Sequence, residues 1–146
     1  MGVCNPTGPM YKLLKGNPHR AQLFCESAGK SLETFTYYSS RPYSIVKDHL
    51  KNFILEENGE YVAYGHLDLE DGILWLGICV SYSHLGKGLG DKMMEHLIRE
   101  GHQLSPIIKL SVNKGNKAAS NLYNKLGFVI TDETDKMYFM ELKRNG

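Results

Sequence analysis

The sequence predicts a mixed α/β domain, and three observations carry that expectation. A short apolar run, Leu74 to Val80 broken only by Gly77, ends in turn residues; it is too short for a helix and suits a strand buried on both faces. A glycine-rich loop follows, and from Leu89 onward the apolar residues (Leu89, Met93, Met94, Leu97, Ile98) fall at the spacing of an amphipathic helix. Around this unit, strand-like segments are punctuated by Asn58-Gly59 and Asp71-Gly72, the strongest short hairpin signals. With 146 residues, the chain has the size of one domain that buries roughly two thirds of its unfolded surface. Residues 10–146 are expected to form that domain, and 1–9 a flexible arm.

Taken in order, Met10 to Leu14 reads as an edge strand, and Asn17-Pro18 as a helix cap followed by proline at the first helical position. Ala21, Phe24, Cys25 and Ala28 give that helix an apolar side, with its end expected near Gly29 or Ser31. The aromatic, hydroxyl-rich stretch from Ser31 to Tyr43 precedes a second helix expected over about 44–51. From Asn52 the pattern turns to three antiparallel strands joined by the two glycine turns. Alternation on the middle one puts Tyr64, His66 and Asp68 on one face and Ala63, Gly65, Leu67 and Leu69 on the other. Beyond the central helix come a strand from Ile107 to Val112 and an Asn116 cap. The next helix carries Ala119, Leu122, Tyr123 and Leu126 on one side and stops at Gly127-Phe128; a last hairpin closes the chain.

A glycine loop between a buried strand and a helix is a place to hold phosphate. Gly86, Gly88 and Gly90 let the backbone approach a ligand, and the helix start offers free N–H groups and the positive end of its dipole. The spacing excludes two phosphate-loop families. A dinucleotide fingerprint would need glycine at Asp91 or Met93, and a Walker loop would need glycine at Ser81 and a hydroxyl residue at Gly88.

The segment Leu85-Gly86-Lys87-Gly88-Leu89-Gly90 resembles instead the acyl-CoA loop of the GNAT superfamily of N-acyltransferases, [R/Q]-x-x-G-x-[G/A] opening a helix, with Leu85 where Arg or Gln is usual. A second segment is similar to another GNAT pattern, N-x-x-A-x-x-x-Y-x-x-x-G-F, with Asn116, Ala119, Tyr123, Gly127 and Phe128 in register. Both segments, in the right order and separation, place residues from about 50 to 142 within the resemblance. It implies a GNAT fold: a mixed, mostly antiparallel sheet of six to seven strands flanked by about four helices, with a splayed central strand pair.

The resemblance further implies transfer of an acetyl group from acetyl-CoA to a primary amine by direct attack. It assigns backbone donors near Ile78, Cys79 and Val80 to the thioester carbonyl, and those from Leu85, Gly86, Lys87, Gly88, Leu89 and Gly90 to the pyrophosphate. Asn116 would contact the pantetheine arm and Tyr123 would protonate the leaving thiolate. A primary amine is mostly protonated at neutral pH, so a proton must be accepted. The central strand offers Leu74, Trp75 and Leu76 where many relatives carry Glu, which leaves His66, Asp68 through water, or solvent as base. Tyr37, Tyr38, Arg41, His49 and His66 are the candidate acceptor contacts. The aromatic, hydroxyl-rich wall suits a small polar amine such as an amino sugar. A protein or peptide acceptor is the alternative within the same chemistry, and a non-catalytic acyl-CoA binder the alternative outside it.

Composition removes other classes. Seventeen Lys plus Arg against sixteen Asp plus Glu leave a formal charge of +1, no footprint for nucleic acid or an anionic membrane. No apolar run has membrane-spanning length, and Pro6 stands where a myristoylation signal needs Ser or Thr, so a cytoplasmic location is expected. Three scattered cysteines (Cys4, Cys25, Cys79) form no C-x-x-C pair, and six histidines show no ligand spacing, so neither disulfide framework nor metal is expected. Cys79 reads as a small buried hydrophobe. A homodimer is compatible with all of this.

Overall fold

The computed structural model describes residues 11–145. The expected arm over 1–9, and Met10 of the first strand, lie outside the described residues. Seven strands form one sheet in the order β1-β2-β3-β4-β5-β7-β6. They are β1 (Tyr11–Lys15), β2 (Lys51–Glu57), β3 (Glu60–Glu70), β4 (Ile73–Val80), β5 (Ile107–Asn113), β6 (Val129–Glu133) and β7 (Met137–Lys143). The helices are α1 (Pro18–Ser27), α2 (Leu89–Leu104) and α3 (Lys117–Lys125), with short 3-10 segments between α1 and β2 and after β4.

Local chemistry explains most boundaries. The Asn17 side chain accepts from the Arg20 amide at 2.8 Å and Pro18 opens α1, as the sequence suggests. Asn58 and Gly59 (φ 50° and 86°), like Asp71 and Gly72 (φ 52° and 79°), adopt the left-handed pairs that two-residue hairpins need, so β2, β3 and β4 run antiparallel as neighbours. Gly127 (φ 102°) closes α3, with the Phe128 amide donating back to the Tyr123 carbonyl at 3.0 Å.

Two expectations change. The helix over 44–51 is a 3-10 segment, Tyr43–Asp48, and Lys51 already belongs to β2, because His49 is extended (ψ 144°) and hands the chain to the sheet. β4 is not buried on both faces. Leu74, Leu76 and Cys79 are buried, whereas Trp75, Gly77, Ile78 and Val80 are only half covered, because the strand borders a cleft.

Two clusters sandwich the sheet. On one side α2 lays Leu89, Met93, Met94 and Leu97 against Leu67, Leu76 and Ile108. Each such side chain contributes about 1.5–3 kcal/mol of burial. Gly65 permits the close approach, since a Cβ there would stand 2.8 Å from Leu97 and Met93. On the other side Ala21, Phe24 and Cys25 of α1 pack with Ile54, Tyr64 and Cys79. Among the described residues the only parallel pair, β4 with β5, is in register at Leu74↔Ile108 and Trp75↔Lys109 and then parts, which opens the C-terminal half of β4.

Candidate active site

The parting of β4 from β5 creates a cleft of about 880 Å³, which runs from Gly86 and Gly88 at one end to Tyr37, His66 and Asp68 at the other. Its first wall is backbone. The Ser81 amide donates to Val62 across β3 at 2.9 Å, and strand alternation directs the amides of Cys79 and Gly77 the same way. The amides of Ile78 and Val80 therefore face the side where β5 has departed. Of the three residues expected to supply strand donors, Ile78 and Val80 present N–H groups to the cleft, and Cys79 spends its own on β3.

The loop that follows is shaped for a bound anion. Gly86 (φ 79°) and Gly88 (φ 78°) are both left-handed, and a Cβ at either would meet nothing within 4 Å, so the space before them is open. α2 starts at Leu89 with no side-chain cap on its first amides, which remain available at the positive end of the helix. Leu85 lines the cleft while the Lys87 side chain does not. Gly90 lines the cleft too, and a Cβ there would stand 3.2 Å from Leu122, so it also lets α2 and α3 close together. At this rim Lys125 pairs with Asp91 at 3.1 Å, a contact the spacing of the sequence did not reveal. These residues fit a pyrophosphate-bearing arm: donors converge, and nothing fills the space they enclose.

α3 brings two further residues to the cleft. Asn116 caps the helix, its Oδ1 accepting from the Ala119 amide at 3.2 Å, and its Nδ2 donates to Thr34 Oγ1 at 3.4 Å on the opposite wall. Tyr123, two turns on, lines the cleft beside Cys79 with only 6% of its surface exposed. Burial, followed by the neighbouring Cys79, pushes the Tyr123 phenol well above its ordinary value, so it stays protonated. Burial likewise pushes the Cys79 thiol up to about 12, which makes it the small apolar residue expected and no nucleophile.

The acceptor end is built from side chains. His66 is 97% covered, and its ring fills the space a Gly77 side chain would need. Its Nδ1 lies 2.6 Å from the Tyr64 hydroxyl, which also meets the Tyr38 hydroxyl at 2.5 Å and Asn52 Nδ2 at 3.0 Å. Asn52 Nδ2 reaches His49 Nδ1 at 3.0 Å, and His49 Nε2 lies 2.6 Å from the Tyr37 hydroxyl. Tyr38 and His49 thus sit behind the cleft wall and brace it, instead of touching an acceptor as expected. Arg41, at the rim, stacks over Tyr37 with its guanidinium carbon 4.2 Å from the ring centre.

His66 and Asp68 share the expected strand face and both line the cleft, but His66 Nδ1 is taken by Tyr64, and among the described residues no carboxylate bonds the ring. Burial first, then His49 and Arg41, hold the His66 imidazolium well below its ordinary range. His49 is lowered by burial too. Both rings are neutral at pH 7, and His66 is a poor resting place for a proton. Tyr64 and Asn52 were missed as site residues; the signal was Tyr64 two residues before His66 on the same strand face.

Residues 19–128 match the sequence model of the Acetyltransferase (GNAT) family. The chain belongs to the GNAT acetyltransferase family. It is accordingly an acyl-CoA-dependent acetyltransferase, and the two sequence segments that resembled the family both line its cleft. No match was found among curated protein sequences. Several solved structures share the fold. An acetyltransferase of Salmonella typhimurium, yncA, solved with its cofactor acetyl-CoA, is 19% identical with TM-score 0.76, over 94% of this chain and 95% of that one. The ribosomal-protein-S18-alanine N-acetyltransferase of Escherichia coli is 24% identical, TM-score 0.71, over 94% and 96%. The PaiA N-acetyltransferase of Thermoplasma acidophilum, in complex with coenzyme A, is 16% identical, TM-score 0.72, over 92% and 99%. No described helix is long and apolar enough to cross a membrane.

Proposed function

We propose that this GNAT enzyme acetylates the primary amine of a small polar acceptor. The observation that carries the reading is the parting of β4 and β5 after Trp75, which puts strand amides, glycine loop, Tyr123 hydroxyl and His66 wall around one cleft. Acetyl-CoA would supply the activated acyl group. The amides at the start of α2 and in the Gly86–Gly88 loop hold its pyrophosphate, and Asn116 fixes the wall along which the arm runs. The Ile78 and Val80 amides donate to the thioester carbonyl and stabilise the charge that develops there. Tyr123 holds its proton and gives it to the leaving sulfur.

The proton of the incoming ammonium leaves through Asp68 by way of water or directly to solvent, because the neutral, buried His66 orients the acceptor better than it stores charge. Thiol release from acetyl-CoA, measured across amino sugars, amino acids, polyamines and short peptides, tests the reading. Release that depends on a small amine is the expected result. Activity on peptides alone would move the acceptor to the protein class.

A further inference from the structure

The polar network beneath the acceptor end is directional, and its direction decides what the cleft offers. Asn52 Nδ2 carries two hydrogens and donates them to His49 Nδ1 and to the Tyr64 oxygen, each at 3.0 Å. A neutral His49 that accepts at Nδ1 bears its proton on Nε2 and donates it to the Tyr37 oxygen at 2.6 Å. The proton of Tyr37 is then left for the cleft. The Tyr38 hydroxyl lies 2.5 Å from that of Tyr64, and the direction that completes the network is donation from Tyr38. The Tyr64 oxygen, accepting from both Asn52 and Tyr38, has no lone pair free, and its own proton goes to His66 Nδ1 at 2.6 Å. His66 therefore carries its hydrogen on Nε2, the edge that lies over Gly77 at the cleft wall.

A third donor stands beside these two. Arg41 gives one N–H to the Tyr37 carbonyl at 3.0 Å and is pinned over the Tyr37 ring, and among the described residues no carboxylate lies within ion-pair distance of it. The Tyr37 ring centre is 4.2 Å from the Arg41 guanidinium carbon and 4.5 Å from the His66 ring, so the three donors gather around one side chain.

We infer that this end of the cleft is a donor cradle for an anionic oxygen group, so that the acceptor is an amine that also bears a carboxylate or a phosphate. The anion is held by the Arg41 guanidinium, the Tyr37 hydroxyl and His66 Nε2–H. Asp68 and Glu70 line the same end, also without ion-pair partners among the described residues. They would repel a plain anion but suit the ammonium of a zwitterion. A simple diamine would set a second positive charge against Arg41, and an uncharged amino sugar would leave the guanidinium to water. The inference rests on the acetyl-transfer reading above and narrows its acceptor.

The test uses matched amines with the full chain and acetyl-CoA: serine against ethanolamine, and glucosamine 6-phosphate against glucosamine. At least one anionic member should exceed its partner in kcat/KM by about ten-fold or more, the scale of one charge-assisted contact. Arg41→Gln should abolish that preference by raising KM for the anionic amine about ten-fold or more, and an undiminished preference in this variant overturns the cradle. The pair that shows the preference separates carboxylate from phosphate. Equal or better use of the uncharged or purely cationic partners overturns the cradle and leaves acetyl transfer standing. No thiol release with any amine, while calorimetry shows coenzyme A bound, overturns both. A readout free of turnover is the tautomer of His66 by nitrogen-15 NMR. Protonation on Nε2 supports the donor direction, and protonation on Nδ1, or a doubly protonated ring at pH 7, overturns it.

Discussion

The two ends of the cleft are built from different materials. At the glycine-loop end the donors are backbone amides of Ile78, Val80 and the Gly86–Gly88 turn, contiguous in sequence and fixed by dihedral angles. At the acceptor end the groups are side chains of Tyr37, Tyr64, His66 and Asn52, carried on β2, β3 and a 3-10 turn and fixed by hydrogen bonds to one another. A backbone site survives side-chain change, which is why Leu85 can stand where the family pattern has Arg or Gln. A side-chain site depends on every partner, because a buried polar group left unpaired costs about 1–3 kcal/mol.

Tyr123, which stands between the two ends, gives the largest expected effect. Tyr123→Phe keeps the ring and deletes the proton, so turnover should fall about ten- to a thousand-fold while coenzyme A affinity holds. Because burial raises its pKa, the hydroxyl stays protonated as pH rises, and the alkaline limb due to it should lie above that of an ordinary tyrosine. Full activity in the folded variant would return Tyr123 to a packing role.

The backbone end is broken by Gly88→Val. A branched residue is strained at φ 78°, and its side chain enters the open space where the ligand is expected. Coenzyme A affinity measured by calorimetry should drop about ten-fold or more. Unchanged affinity would remove the loop from the binding site. Leu85→Ala is the sharpening control at the same end, with affinity expected to stay within about three-fold, since only a side chain is lost.

The side-chain end is broken by Tyr64→Phe, which leaves His66 Nδ1, the Tyr38 proton and one Asn52 hydrogen without a partner. Stability should fall by about 1–3 kcal/mol in urea titration, and acceptor KM should rise with coenzyme A affinity unchanged. If the variant were as stable as the parent, the network would not be what holds this wall.

The smallest effect is on pH. His49 and His66 titrate below their unfolded value because burial opposes their charge, so the unfolded chain binds more protons as pH falls through about 6.5. Stability is therefore full above that pH and lost below it, by at most about 1.4 kcal/mol per pH unit for each ring. His66→Gln should flatten the acid side of a melting-temperature profile between pH 7 and pH 5. An unchanged slope would mean that His66 does not titrate on unfolding.

Much of this was legible in the chain. Asn58-Gly59 and Asp71-Gly72 set two hairpins, Asn17-Pro18 set the start of α1, and the glycines after Val80 set the loop, because each acts through the dihedrals and caps of its own few residues. The same locality made the family visible, since the Leu85–Gly90 and Asn116–Phe128 segments are each one turn and one helix. Tertiary structure decided the rest. It ended the expected helix near Asp48 so that β2 could begin, took the Cys79 amide for β3, set Gly90 against Leu122, and bonded His66 to Tyr64. Asn52 meets Tyr64 only after β2 and β3 pair, and such a cross-strand partner leaves no period or spacing in a sequence. The backbone site could be read in advance because local dihedrals build it; the acceptor wall could not, because its protons are placed by neighbours brought together only in the folded sheet.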